Sequence, residues 1–291
     1  MTLKNTLNEA IKLLELNREI ILINIIKSSG SSPRTSDAMM IAYFDENNNK
    51  KTLSTIGGGI LEFKVLNDAF TLLEKKSNDK KNYSLTNEEY GGVGMLCGGN
   101  VEIDFRYINK NNKEIIENLI EEENKKNSNV YIFGAGHVSL DLVDILNKLS
   151  FNCIVIDDRE EFANKERFYN AYKIIVDDYE NVFNKINITE KDYIIIVTRG
   201  HSYDYIVEKN ALKTNAYYIG MIGSSKKIAT LHNRLKEEEK YTDEMIKKVH
   251  APIGMQIGAE STEEIAVSIA AELILKRAIF ENRRKIKKQY A

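Results

Sequence analysis

Between residues 19 and 44 the apolar positions fall into two dense runs, EIILINIIK (19–27) and AMMIAYF (38–44). Runs this short and this apolar predict buried strands, joined by the loop SSGSSPRTSD. A third strand is expected at KTLSTI, which enters GGG and then ILEFKVLNDAFTLLEKK, where Leu61, Val65, Ala69 and Leu72 mark one helical face. In VEIDFRY, Val101, Ile103, Phe105 and Tyr107 alternate with charged residues, the period of a strand buried on one face. Leu3, Leu7, Ile11 and Leu14 predict an N-terminal amphipathic helix rather than a signal peptide. The polar stretch 77–89 predicts a mobile connection, and 109–129 one short helix followed by a solvated linker.

Beyond that linker the pattern changes. NVYIFGAGH, FNCIVIDDR, YKIIVDD, DYIIIVTRG and AYYIGMIG are short apolar runs ending in glycine or polar residues, with helical patterns between most of them. Near-continuous apolar strands alternating with helices imply a parallel sheet covered on both faces. Ser261 and Glu264 are spaced as a capping box for a last helix. The fold class expected is α/β: an N-terminal α+β domain over 1–125, then a Rossmann-like doubly wound parallel sheet over 126–291.

Composition narrows the function. A formal net charge of −2 over 291 residues gives no electrostatic reason to expect nucleic acid. No apolar run approaches the roughly 20 residues of a membrane span, and two cysteines suit a reducing compartment. A cytoplasmic protein that binds neither nucleic acid nor membrane is expected.

FGAGHVSLDL carries Gly134 and Gly136 of a dinucleotide fingerprint, with Ser139 where a third glycine is usual. Asp157 closes the next strand 23 positions after Gly134, about where a ribose-binding acid belongs. The rival to NAD(P) binding is a Rossmann scaffold whose glycines serve packing. His137 and His201 follow strands and should lie on the carboxyl rim, Arg199 and Asp204 flanking His201. His250, before APIG, is a further candidate, and His232 is expected on a solvated helix face. In YIGMIGSSKK, Gly220 and Gly223 with two serines are either an anion-friendly helix start or a plain serine N-cap. Gly57, Gly58 and Gly59 precede a helix with Glu62 in its first turn; such a run marks unusual φ or close backbone approach, and its N–H groups can form an anion nest. SSGSSPRTS adds hydroxyls and Arg34. Cys97 stands in GGVGMLCGGN, where side chains are stripped away around one thiol. Neighbouring N–H groups favour the thiolate, a nucleophile and soft-metal ligand, and the segment offers no base.

GSSPR, TIGGGILE, CGG, FGAGHV, DDREEFANKERF, TRGHSYD, YIGMIGSSKK and HAPIGMQIGAESTEEIAVSIAAEL occur in this order over residues 20–280 and resemble the XdhC/CoxI family. That resemblance implies an accessory protein for molybdenum hydroxylases such as xanthine dehydrogenase. Such a protein binds the molybdenum cofactor (molybdopterin), supports its sulfuration with a cysteine desulfurase and passes it to the apoenzyme, generally as a homodimer rather than a turnover enzyme. It implies that Cys97 contacts the metal and that N–H groups at 57–59 and at Gly98 and Gly99 hold the pterin phosphate near Arg34. Many relatives have a polar or sulfur-bearing residue at Ile60 and some a second cysteine at Leu96, so Cys97 is the sole candidate thiol of its loop. The alternative is an NAD(P)-dependent oxidoreductase acting on a small substrate, with His137 or His201 as acid or base.

Overall fold

The computed structural model describes residues 2–28, 38–84 and 100–282. The chain divides into two compact units, Met1–Lys126 and Asn127–Ala291.

The first unit starts with α1 (Leu3–Glu15), capped by the Thr2 side chain, then β1 (Ile20–Ser28), β2 (Met39–Phe44), β3 (Lys50–Leu53), α2 (Gly59–Lys75), β4 (Asp79–Ser84), β5 (Asn100–Ile108) and α3 (Glu114–Lys126). Its five strands form an antiparallel sheet in the order β3-β2-β1-β5-β4. The run IILINII is apolar throughout because central β1 is covered on both sides. Ile21, Ile23 and Ile25 pack with Leu61, Val65 and Ala69 of α2, while Ile20 and Leu22 pack with Leu7, Ala10 and Leu14 of α1 and Ile116 of α3.

Two expectations are corrected here. Asp79–Ser84 is a strand, not a mobile connection: it is the edge partner of β5, and Lys80, Asn82 and Ser84 face solvent. An edge strand with one solvated face and lysines against further pairing carries no apolar signal. The stretch expected as linker after a short helix is instead helical to Lys126, with Ile116 in the core beside α1 and Leu119 and Ile120 packed against it.

The second unit runs β6 (Asn129–Phe133), α4 (His137–Lys148), β7 (Asn152–Asp157), β8 (Lys173–Val176), β9 (Tyr193–Ile196), α5 (His201–Ala211), β10 (Tyr218–Met221), α6 (Ser225–Glu239), α7 (Asp243–Ile246), β11 (Val249–His250) and α8 (Thr262–Phe280). Its six strands are all parallel in the order β11-β10-β9-β6-β7-β8. Leu142, Val143 and Leu146 of α4 and Ile269 and Leu273 of α8 cover one face; Val207, Ala211, Leu231 and Leu235 of α5 and α6 cover the other. The α/β class and the Rossmann sheet stand as expected. The chain leaves β6 toward β7 and β8, then returns to build β9, β10 and β11 on the other side. The order therefore reverses between β6 and β9, which sets the switch point beside the turn at residues 134–136.

Candidate functional site

Gly134 and Gly136 have different reasons to be glycine. At Gly134, φ is +113°, and a Cβ would lie 2.3 Å from the Val197 carbonyl oxygen and 2.9 Å from Thr198 Cα. The close approach of the chain just beyond the ends of neighbouring β6 and β9 thus demands this glycine. At Gly136, φ is −79° and a Cβ would meet nothing within 4 Å. The fold gives no steric reason for that glycine, and open space lies over the start of α4, where no side chain caps the helix. Ser139 is buried and donates to the Gly134 carbonyl at 2.5 Å, which explains a serine where a third glycine is usual.

Asp157 sits at the end of β7, fully buried. Its Oδ2 accepts from the Ala135 N–H at 2.8 Å and from Arg159 Nη2 at 3.0 Å; its Oδ1 accepts from Arg159 Nε at 2.8 Å. Burial opposes its ionisation, yet the Arg159 side chain and the Ala135 N–H together hold the carboxyl below the usual carboxylate range. The acid expected on a ribose is thus engaged within the protein, and one N–H of the fingerprint turn is engaged with it. Beside it, Arg199 donates two bonds to Asp158, Nη1 to Oδ1 at 2.5 Å and Nη2 to Oδ2 at 2.8 Å, and lies over the Tyr203 ring at 4.3 Å. Because β6 lies between β9 and β7 in the sheet, this ion pair passes across the carboxyl end of β6. His137 and His201 open α4 and α5 and are both exposed; among the described residues no hydrogen bond is made by either ring.

Asp204, expected as a charge partner for His201, turns the other way. It is fully buried, accepts from Thr198 Oγ1 at 2.7 Å and pairs with Lys227 Nζ, which also donates to the Ile222 carbonyl at 3.2 Å. A Cβ on Gly223 would lie 2.9 Å from Lys227 Cδ, so this glycine lets the lysine stem pass. The helix start there is closed by Ser224, whose hydroxyl accepts from the Lys227 N–H at 3.3 Å. This Thr198–Asp204–Lys227 lock escaped sequence reasoning, because its members come from three elements. His232 is also corrected: its Nε2 lies 2.9 Å from Oε1 of fully buried Glu208, an acid from the neighbouring helix, so it is half-buried rather than solvated. His250 stacks on Tyr218 at 4.7 Å, with Nδ1 3.3 Å from Glu272 Oε1; burial and then Lys276 push its pKa below the ordinary histidine range against the pull of Glu272.

In the first unit Gly57, Gly58 and Gly59 all have positive φ, at +134°, +77° and +72°. One oxygen of Glu62 accepts from the N–H of Ile56 at 3.1 Å, from the N–H of Gly58 at 2.9 Å and from the Thr55 hydroxyl. The Gly57 N–H donates to Thr55 Oγ1 at 3.1 Å. The nest expected for an external anion therefore holds the chain's own carboxylate. A Cβ on Gly58 would meet nothing within 4 Å, and Ile60 and Phe63 are exposed beside it. Arg34, Cys97, Gly98 and Gly99 lie outside the described residues. Cys153 is buried in the apolar core at β7. Among the described residues no three His, Cys, Asp or Glu side chains converge to hold a metal ion, and no helix is long and apolar enough to cross a membrane.

Comparison with known proteins places these features. Residues 13–84 match the family described as XdhC and CoxI, and residues 130–273 match the XdhC Rossmann domain. The protein YqeB of Escherichia coli (strain K12) is 25% identical over 271 residues, 93% of this chain and 46% of that protein. A protein of Bacillus subtilis (strain 168) named as a probable xanthine dehydrogenase subunit is 27% identical over 146 residues, 50% of this chain and 42% of that one. The chain thus spans less than half the length of the curated relatives it matches. A crystal structure described as a xanthine dehydrogenase from Bacillus halodurans has the same fold, with a TM-score of 0.63 at 21% identity and 96% of each chain covered. With both of its regions matched in order, the chain belongs to the XdhC/CoxI family.

Proposed function

We propose that this chain is an accessory factor for a molybdenum hydroxylase of the xanthine dehydrogenase type, binding the molybdenum cofactor and supporting its sulfuration and insertion. The observation that carries the reading is the match of both regions, in order, to the XdhC and CoxI family and its Rossmann domain. The partners proposed are the apo hydroxylase, a cysteine desulfurase and a second copy of the chain.

The residues at 57–59 fit a large group approaching the backbone, since space is open over Gly58. They fit a neutral heterocycle edge better than a phosphate, which would face the carboxylate of Glu62. The pterin phosphate is accordingly assigned to Arg34 and the N–H groups of Gly98 and Gly99, and the metal to the Cys97 sulfur. Molybdenum, when held there, supplies the redox and sulfido chemistry of the client. This chain's part is to bind the cofactor, shield it and release it. The oxidoreductase alternative is less well supported, because Asp157 would have to leave Arg159 and the Ala135 N–H to meet a ribose.

The test is reconstitution. Apo hydroxylase is mixed with molybdenum cofactor and a cysteine desulfurase, with and without this chain, and substrate turnover is followed. Faster recovery of activity with the chain, lost in Cys97→Ala, is the expected result. Equal recovery without it overturns the accessory reading.

A further inference from the structure

Among the described residues the two sheets end in edge strands that are unequally defended against further pairing. β3 carries Lys50 and Lys51, β4 carries Lys80 and Lys81, and β11 is only two residues long. Lysines and very short strands are the usual guards of a free edge. β8, four residues long, carries only Lys173 at its start, and Ile174, Ile175 and Val176 follow. Val176 is 46% exposed, and Tyr169 and Tyr172 are exposed just before the strand. The backbone shows which polar groups this edge leaves open. The Asp177 N–H donates to the Asp157 carbonyl at 3.3 Å, so Asp177, Ile175 and Lys173 turn their N–H and C=O groups toward β7. In an extended strand the intervening residues point the other way. The N–H and C=O groups of Ile174 and Val176 therefore face the open edge, where no strand of the described residues meets them.

We propose that the β8 edge pairs with the same edge of a second copy, antiparallel about a two-fold axis through Ile175, joining two six-stranded sheets into one. In this register Ile174 falls opposite Val176 of the second copy. The two form a hydrogen-bonded pair that exchanges both N–H···O=C bonds, and the axis repeats the exchange. Lys173, exposed and in no ion pair among the described residues, falls opposite Asp177 of the second copy, in the closer, non-hydrogen-bonded kind of pair. Asp177 already takes Lys185 Nζ at 2.6 Å, and a carboxylate has acceptor sites to spare. An axis through Ile174 or Val176 would also oppose open backbone groups but would separate Lys173 from Asp177. The exposed Val176 side chain meets Ile174 of the second copy on one face of the joined sheet. Backbone register, opposed charges and the exposed apolar group thus all match in a self-pairing, which selects a second copy over an unrelated extended peptide. The inference rests on the proposed pairing with a second copy and names its interface; it uses no molybdenum chemistry.

The test uses the full chain. Sedimentation velocity over a range of concentrations compares native protein with Val176→Lys and Lys173→Glu, both at exposed positions. Native protein should be a dimer, and Val176→Lys a monomer at the same concentrations. Lys173→Glu should raise the dissociation constant about tenfold, as two opposed pairs become two like-charge pairs. Cysteine linking then reads the register, in a Cys97→Ser background. In Ile175→Cys the two copies' Cα atoms on the axis lie about 4.5 Å apart, within disulfide reach. In Ile174→Cys they lie diagonally across the strand pair, more than about 7 Å apart and out of reach. Mild oxidation should therefore link Ile175→Cys to its copy and leave Ile174→Cys unlinked. A native dimer that persists undiminished in Val176→Lys overturns this interface and leaves a second copy bound elsewhere. Unchanged affinity in Lys173→Glu, or linking that does not favour Ile175→Cys over Ile174→Cys, overturns the register. Native protein that stays monomeric overturns both the interface and the second copy.

Discussion

Alanine placed at Gly134 and at Gly136 separates what the fold needs from what a ligand needs. At Gly134 the new methyl would sit 2.3 Å from the Val197 carbonyl oxygen. To reach even a tight van der Waals separation the ends of β6 and β9 must part by about 1 Å. The bond from the Val197 N–H to the Phe133 carbonyl, 2.9 Å long, lies in the path of that movement. Strain from a φ of +113°, overpacking and a weakened backbone bond together come to about 3–5 kcal/mol. That is a large part of the stability of an ordinary domain. At Gly136 the methyl meets nothing and φ is already permitted; the entropy gained by removing a glycine is offset because alanine is a poorer helix N-cap, so stability should change by less than about 1 kcal/mol. Hydrogen exchange read by mass spectrometry on peptides covering 129–136 and 193–199 gives a local measure without relying on two-state unfolding of the whole chain. Gly134→Ala should speed exchange in both peptides, and Gly136→Ala in neither. Comparable losses of protection in the two variants would refute the argument that only the first glycine serves the close approach of the β6 and β9 ends.

Other outcomes follow from the same geometry. Lys227→Met leaves buried Asp204 without its cation and should destabilise the second unit by about 3–5 kcal/mol, most of it recovered in the Lys227→Met/Asp204→Asn double variant, as thermal melts would show. Glu62→Ala frees the N–H groups of Ile56 and Gly58 and should cost about 1–2 kcal/mol with faster exchange at 56–58, whereas Glu62→Gln, which keeps an acceptor oxygen, should cost less. Asp157 has a depressed folded-state pKa, so its contribution is present above its unfolded value of about 3.9 and is lost as pH falls through the folded value; melts of Asp157→Asn between pH 2 and 6 should show a flatter acid limb than the native protein.

The second unit was the more legible in sequence. Strands covered on both faces write themselves as apolar runs, such as Tyr193–Ile196, and the polar residues that follow mark the rim where a ligand would meet them. β11 escaped because two residues carry no period, and β4 because Tyr83 is the one large apolar-bodied side chain on its inner face. The candidate site was legible in its parts and not in its pairings. Asp157 and Arg159 are neighbours in sequence, but that the arginine seals the acid depends on the turn between them. Glu208 and His232, and Asp204 and Lys227, meet only once α5 and α6 lie side by side. Glu62 offered the nearest local signal, an acid four residues after Gly58, the distance over which a first-turn side chain reaches back to an exposed N–H.

The most direct test of the central claim is anaerobic loading. Purified chain is incubated with molybdenum cofactor and desalted, and molybdenum is counted per chain by mass spectrometry, with Cys97→Ala run alongside. The account predicts stoichiometric molybdenum on the native chain and its loss from the variant. Native chain that emerges without molybdenum would contradict it.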